Sequence, residues 1–317
     1  MRASLKPDQS SGCLLGPGSE VRIDVVKFPR DHGLTAVLDT LGVRPAAQLG
    51  RGGEATVYAL DKDRVVRVLH EGGEADSIRR RQSLVAELSR TSGPAFALPD
   101  VLDIGEVEGR WYAIERRLVG RSVLQVLGEL DGKPRRRLIE AHLDAAAALG
   151  DLHLDHRAYF GDLAVAEPVT AATWRGYLTA KAASSLLRAG PDFSSVAPDL
   201  IADALPDVTD AAFVHLDAFA GNMLTDGQRI TAVIDIGPSS AAGDRRIDPV
   251  AAAVYLCAPQ ITPVVTSADV RLTATWLRLA GLDGWFDPVQ RWLAAYWAFA
   301  VEDVPLHRWC RAVLLGS

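Results

Sequence analysis

Three oxygen-bearing side chains with phosphate-metal chemistry fall in one stretch: Asp217 and Asn222 within Phe213-Val-His-Leu-Asp-Ala-Phe-Ala-Gly-Asn-Met-Leu224, and Asp235 within Val233-Ile-Asp-Ile-Gly237. The pattern reads strand, loop, strand, tight turn, strand. Asp226-Gly227, set between the apolar pair Met223-Leu224 and the run that begins at Ile230, predicts a two-residue hairpin turn. A hairpin folds its arms together, which brings the loop from His215 to Asn222 close to Asp235. Two carboxylates and an amide oxygen are hard ligands, suited to Mg²⁺ held against phosphate oxygens. Phosphoryl transfer needs such a set, with one Asp to orient a hydroxyl and an Asn and a second Asp to hold metal.

The spacing His215-x-Asp217-x-x-x-x-Asn222, followed by Ile234-Asp235-Ile236-Gly237, resembles the catalytic loop and metal-binding turn of protein kinases. The surrounding residues, with Gly243-Asp244-Arg-Arg-Ile-Asp248-Pro249 downstream, are more similar to the aminoglycoside phosphotransferase family of small-molecule kinases. The resemblance covers roughly residues 45 to 310. It implies an α+β fold of two lobes, protein-kinase-like, with a small β-rich N-lobe and a larger, mostly helical C-lobe. It also implies Mg²⁺, and ATP or GTP as phosphoryl donor.

Asp217 is the expected catalytic base, or the group that aims the acceptor hydroxyl; the plain alternative is a turn Asp capping backbone amides. The resemblance makes His215 a scaffold of the catalytic loop rather than a proton carrier. Asn222 and Asp235 are the expected metal ligands. A metal-dependent hydrolase built from His215, Asp217, Asp235, Asp244 and Asp248 is a rival, but it leaves the glycine-rich segment unexplained. Asp244 and Asp248 read either as support for the loop or as a helix cap. For Asp248, followed by Pro249, the cap is favoured.

Gly50-Arg-Gly-Gly-Glu-Ala-Thr-Val57 resembles the strand turn that covers nucleotide phosphates. Gly50, Gly52, Gly53 and Thr56 are its candidate phosphate contacts, because glycine lets backbone approach phosphate oxygens. In Val65-Val66-Arg67 an arginine stands where the family has a phosphate-contacting lysine, and guanidinium can bind phosphate bidentately. Its helix partner is usually Glu; here the alignment puts Gln82 in that place, with Glu87 as the fallback. Arg117 and Leu118 fall nearest the hinge positions whose backbone groups bond the purine. Acids beside aromatics in the late helices, Glu302 and Asp303 among them, suit a polyamine or amino-sugar acceptor. The stripe Trp292, Tyr296, Phe299 at helical spacing reads instead as core.

These groups need elements to position them. Strands are expected at Gln48 to Leu60 around the glycine-rich turn, at Val65 to Leu69, Val101 to Gly105 and Trp111 to Glu115. A helix is expected over Ser77 to Ser89. Beyond Gly120 the composition turns to Ala and Leu with helical period, giving helices at 122–130, 135–152, 173–187, 248–258, 267–279, 288–300 and 305–314. The domain reading is a mobile tail over 1–20, a nucleotide-binding lobe over 21–118 and a catalytic and substrate-binding lobe over 119–317. An extra strand is expected at Arg22 to Phe28 and a short helix at Leu34 to Leu41.

The chain has 317 residues, 48% hydrophobic and 23% charged, as in an ordinary globular enzyme. A net charge of −6 and only short basic runs, Arg79–Arg81 and Arg135–Arg137, argue against a nucleic-acid partner; both runs are expected to be solvated helix faces. No apolar run approaches a membrane span and no signal core opens the chain, so no membrane partner and a cytoplasmic location are expected. The odd count of three cysteines, Cys13, Cys257 and Cys310, reads as free thiols. The expected activity is transfer of the γ-phosphoryl of a nucleoside triphosphate to a hydroxyl of a small molecule, most favourably an aminoglycoside or related antibiotic. A housekeeping kinase of an amino alcohol or sugar, and a catalytically inactive nucleotide-binding scaffold, are the alternatives. Sequence leaves the oligomeric state open.

Overall fold

A computed structural model describes residues 31–91 and 95–316. The expected tail and the strand at Arg22 to Phe28 lie outside the described residues. The chain first forms α1 (His32–Thr40), then β1 (Gln48–Arg51), β2 (Ala55–Ala59) and β3 (Arg64–Leu69). Helix α2 (Ala75–Leu88), β4 (Val101–Val107) and β5 (Arg110–Arg116) follow. The strands make one antiparallel sheet in the order β1-β2-β3-β5-β4. Alternation explains the strands: Val66 and Val68 on β3 are buried with Tyr58 and the α1 residues Val37 and Leu38. The apolar side of α2, Leu84, Val85 and Leu88, joins the main core of the second lobe. The helix therefore connects the two lobes.

Past β5 the linker forms β6 (Arg121–Ser122) and leads into α3 (Val123–Leu127) and α4 (Gly132–Leu149). Then come β7 (Phe160–Asp162), β8 (Thr170–Ala171), α5 (Trp174–Ala189) and α6 (Pro198–Asp203). Four short strands follow: β9 (Ala212–Val214), β10 (Met223–Thr225), β11 (Ile230–Val233) and β12 (Ala241–Gly243). The chain closes with α7 (Ile247–Cys257), α8 (Ser267–Leu279), α9 (Phe286–Trp297) and α10 (Val304–Leu315). The fold is the expected two-lobed, kinase-like α+β arrangement. Trp174, Tyr177 and Trp292 centre the helical core, and Trp292 stacks on Tyr296 at 5.3 Å, so these two residues of the stripe are core as read, whereas Phe299 lies past the end of α9, half-buried against Trp297.

Two small sheets flank the functional stretch. The hairpin β10–β11 pairs with β6 on one side, Leu224 opposite Ser122, while β12 pairs β9 and β7. On the hairpin's other edge, Ala97 bonds Thr231 and Val233 through the backbone. Gly120 shows how closely the linker passes the hairpin: its φ is 138°, and a Cβ there would stand 2.8 Å from Thr231 Oγ1 and 3.0 Å from Thr225 N. The connection between β10 and β11 is longer than the expected two residues. Asp226 Oδ1 accepts the N–H groups of both Gln228 (2.9 Å) and Arg229 (3.0 Å), which widens the turn to Asp226–Arg229.

The basic runs are not simply solvated faces. Arg135 is buried, donates Nη2 and Nε to Asp269 at 2.7 and 3.0 Å, and also reaches the carbonyls of Leu130 and Val264. Arg81 is buried too. Cys257 and Cys310 are free thiols. Among the described residues no helix is long and apolar enough to cross a membrane.

Candidate active site

Asp217 and Asn222 lie in the loop between β9 and β10, and Asp235 follows β11. Asn222 Nδ2 donates to Asp217 Oδ2 at 2.9 Å and to the Asp217 carbonyl at 3.0 Å. The backbone carbonyl of Asn222 accepts the N–H of Ile234 at 2.9 Å, which brings Asn222 beside Asp235. His215 Nε2 donates to the Ile234 carbonyl at 3.0 Å, and its Nδ1 accepts the Asp217 N–H at 3.3 Å. Both ring nitrogens are thus committed, a hydrogen placement that follows from the bonding network. Burial holds the ring's pKa below its ordinary value, so His215 stays neutral. The loop is fixed from below: Asp248 accepts the N–H groups of His215 (2.7 Å) and Leu216 (2.9 Å).

That contact corrects the reading of Asp248 as a cap. Helix α7 is preceded by Arg246 at its N-cap, and Asp248, two residues in, turns its carboxylate to the loop. Asp244 pairs instead with Arg246, at 2.7 Å. The acids a hydrolase would need are therefore occupied elsewhere. Leu216 and Asp235 both adopt a φ of 62°, uncommon for non-glycine residues and concentrated in this fold at the site.

Burial is the first cause that pushes Asp217 well above the usual carboxylate range, and the neighbouring Asp235 charge the second; the Asn222 bond opposes both. Asp235 stays half exposed at the mouth of the site. With the Asn222 amide nitrogen engaged, the Asn222 oxygen and the Asp235 carboxylate are the hard donors that could hold a Mg²⁺ ion.

From the first lobe, Arg67 on β3 reaches across: its Nη1 lies 3.4 Å from Asp235 Oδ1 and its Nε 3.4 Å from Glu115 Oε1. Gln82 is not its partner, since it is exposed and donates to the Val101 carbonyl at 3.4 Å. Helix period explains the miss: the buried face of α2 carries Ile78, Arg81 and Leu84, so the residue one before Gln82 turns inward. Arg81 Nη2 meets Glu115 Oε1 at 2.5 Å. Glu87, the fallback, instead binds Arg157 at 2.7 Å and the Asp155 N–H at 2.6 Å.

Gly52 and Gly53 form the turn between β1 and β2, and Gly50 lies on β1 opposite Val57. A Cβ built on any of them meets nothing within 4 Å, and none has positive φ, so the protein itself does not require glycine there. Open space above bare backbone suits an approaching ligand. Thr56 does not face that space; its buried hydroxyl bonds His70 Nε2 at 3.3 Å, and His70 Nδ1 reaches the Gly53 carbonyl at 3.0 Å. His70, which carries no motif, props the turn from beneath. Glu54 at the turn's tip has a raised pKa, from burial first and the Asp235 charge second.

At the hinge the Arg117 N–H is spent on the Asp63 carbonyl at 2.8 Å and so does not face a base; Leu118 beside it is half-buried. Asp303 caps α10 by accepting the Leu306 N–H at 3.1 Å, and its charge is near enough to raise Asp217. Glu302 is exposed. A cavity of about 550 Å³ lies elsewhere, between the end of α7 and helices α9 and α10, lined by Gln260, Asp287, Arg291 and Trp309 among others.

A kinase-like fold, a glycine-rich turn over a cross-lobe arginine, and a bonded Asp–Asn set at a hairpin define the class of kinase-type phosphotransferases. The chain belongs to the phosphotransferase enzyme family (APH), whose sequence model matches residues 46–282. Hygromycin-B 4-O-kinase of Escherichia coli is 29% identical over 197 residues, 59% of this chain; the aligned part spans only 56% of that relative. Among solved structures, the streptomycin–ATP ternary complex of APH(2″)-IIa superposes with a TM-score of 0.53 at 13% identity, covering 92% of this chain and 97% of the other. The GDP complex of wild-type aminoglycoside 2′-phosphotransferase-IIIa gives 0.55 at 14% identity, covering 89% and 95%. At such identities these structures speak for the fold.

Proposed function

We propose that this protein transfers the γ-phosphoryl group of ATP or GTP to a hydroxyl of a small molecule, with an aminoglycoside or related antibiotic as the favoured acceptor. The observation that carries the reading is the bonded set of Asp217 and Asn222, joined through Ile234 to Asp235, across the cleft from Arg67.

Asp217 accepts the hydrogen of the acceptor hydroxyl and aims its oxygen along the line of transfer. Its raised pKa makes it a better proton acceptor than an exposed carboxylate, and Asn222 fixes its rotamer. In a loose transition state this positioning outweighs proton removal itself. The Asn222 oxygen and the Asp235 carboxylate would hold a Mg²⁺ ion, which would supply positive charge against the phosphate oxygens. Arg67 binds the α- and β-phosphates, the backbone of Gly50, Gly52 and Gly53 covers them, and the Leu118 backbone meets the purine. Glu302 and Asp303 attract the ammonium groups of an amino-sugar.

The hygromycin kinase relative supports an antibiotic acceptor. A kinase of a housekeeping amino alcohol or sugar would use the same residues. An inactive scaffold is disfavoured because the Asp217–Asn222 bond is intact. Two free thiols, Cys257 and Cys310, favour a reducing cytoplasm. Thermal-shift screening with Mg-ATP, Mg-GTP and an antibiotic panel, followed by coupled ADP detection, tests the reading. Stabilisation by a nucleotide and ADP release with one antibiotic class support it. Turnover with amino alcohols or sugars alone would shift it to a metabolic kinase, and no nucleotide effect would end it.

A further inference from the structure

In the cleft between the lobes two arginines converge on a single carboxylate oxygen. Arg81 Nη2 stands 2.5 Å from Glu115 Oε1, and Arg67 Nε stands 3.4 Å from the same atom. The side chains are 9% (Arg81), 16% (Arg67) and 9% (Glu115) exposed. Taking guanidinium groups out of water is costly unless anions pair with them. One shared oxygen cannot satisfy both forks. The Nε groups of Arg67 and Arg81 are both buried without an aligned hydrogen-bond acceptor; the 3.4 Å approach of Arg67 Nε to Glu115 is an ion-pair distance with poor direction.

The stem of Arg81 runs past the metal-side turn: a Cβ on Gly237 would lie 3.6 Å from Arg81 Cδ. Its surplus donors are therefore in the same cluster as Arg67 and Asp235. Two further acids face this cluster, Asp235 at the mouth and Glu54 on the glycine-rich turn. Glu54 and Asp235 are exposed, and Asp235 is the acid that the nucleotide reading assigns to a cation, so Glu115 is the one buried anion for two guanidinium groups. A nucleotide phosphate supplies the missing charge, and arginine suits it because its fork matches phosphate oxygens in pairs.

We propose that Arg81 is a second phosphate-binding residue of the nucleotide site, and that Glu115 is the positioning residue that holds Arg67 and Arg81 ready for the phosphates. The inference rests on the nucleotide reading above and deepens it. The anchoring is inverted relative to a strand cation and helix carboxylate: strand β5 supplies the acid, and helix α2 supplies a second cation.

The test is a calorimetric titration of the full chain with adenosine, AMP, ADP and ATP, and with the guanosine series, each with and without Mg²⁺. Wild type, Arg81→Gln, Arg81→Lys, Glu115→Gln and Gln82→Ala are compared. In wild type, affinity should climb with each phosphate. Arg81→Gln should cut the gain from nucleoside to triphosphate by roughly 10-fold or more while leaving nucleoside affinity in place. Arg81→Lys should restore part of it, Glu115→Gln should reduce it, and Gln82→Ala on the same helix should change nothing. If Arg81→Gln folds poorly, Arg81→Lys carries the comparison through its loss of bidentate geometry, as a smaller triphosphate gain at unchanged nucleoside affinity. Equal losses for nucleoside and triphosphate would make Arg81 a structural residue and overturn the proposal, as would an unchanged triphosphate affinity. Failure of wild type to bind any nucleotide would instead overturn the nucleotide reading, and this inference with it.

Discussion

The Asp248 carboxylate accepts the backbone N–H groups of His215 and of Leu216 at 2.7 and 2.9 Å, and so fastens helix α7 to the loop that carries Asp217. The same turn is held from its other side. The Tyr255 hydroxyl donates to the Leu216 carbonyl at 2.9 Å and itself accepts from Trp297 Nε1 at 2.7 Å. These bonds keep Leu216 at its left-handed φ of 62°. Asp248→Ala strips two buried amides of their acceptor, at about 1–3 kcal/mol each. Turnover should fall far more than nucleotide affinity, because the loop that aims Asp217 loosens. Denaturant unfolding and steady-state kinetics check both halves; unchanged turnover would show that the loop holds its shape without α7.

Protonation should act through the same residue. Burial raises Asp248 from 3.8 to about 7, against the two amides that favour its charge. Protonation leaves one oxygen a poorer acceptor, so one amide bond weakens. Activity should therefore fall as pH drops through about 7, and the raised Asp217 acts in the same direction. Stability runs the other way. With the folded value above the unfolded one, the stability this group contributes is fully present below 3.8 and is lost as pH rises through about 7. Melting curves from pH 4 to 8 should slope less in Asp248→Asn than in wild type, and its acid limb of activity should move; identical profiles would contradict this.

The glycine-rich turn allows a separation of folding from binding. Since a Cβ at Gly52 meets open space, Gly52→Ala should leave the melting temperature nearly unchanged. Nucleotide affinity should nevertheless drop several-fold, because the methyl group stands where phosphate approaches the backbone. Equal affinities in a thermal-shift titration would mean the turn covers nothing.

Arg135 offers a stability contrast within one basic run. Arg135→Ala removes the partner of the buried Asp269 and should cost about 3–5 kcal/mol. Arg136, whose pair with Glu140 is exposed, should cost about 0.5 kcal/mol or less on the same change. Comparable losses in urea would refute the distinction.

Sequence spacing carried most of the catalytic half of the site. His215, Asp217, Asn222 and Asp235 flank one short hairpin, whose paired strands bring the two ends of the stretch together. The nucleotide half was less legible. Arg67 was found from its strand, but its partner Glu115 is 48 residues away, on a strand whose register with β3 no local pattern reveals. Counting along α2 selected Gln82, when the inward face differs by one residue, and a one-residue offset turns a helix by about 100°. An arginine in a basic run looked solvated at both Arg81 and Arg135. Burial of such a residue is visible only when the acid that meets it, Glu115 or Asp269, is brought in by the fold. Thr56 and His70 teach the same lesson, since a strand's alternation gives faces but not which face the ligand approaches.

Phosphoryl transfer through Asp217 is tested most directly by ³¹P NMR of Mg-ATP or Mg-GTP mixed with an aminoglycoside panel, with wild type and Asp217→Asn in parallel. Wild type should yield a new phosphomonoester resonance together with nucleoside diphosphate. Asp217→Asn should still bind nucleotide while forming that ester about 10²–10⁴-fold more slowly. Equal rates of ester formation in the two proteins would contradict the role assigned to Asp217.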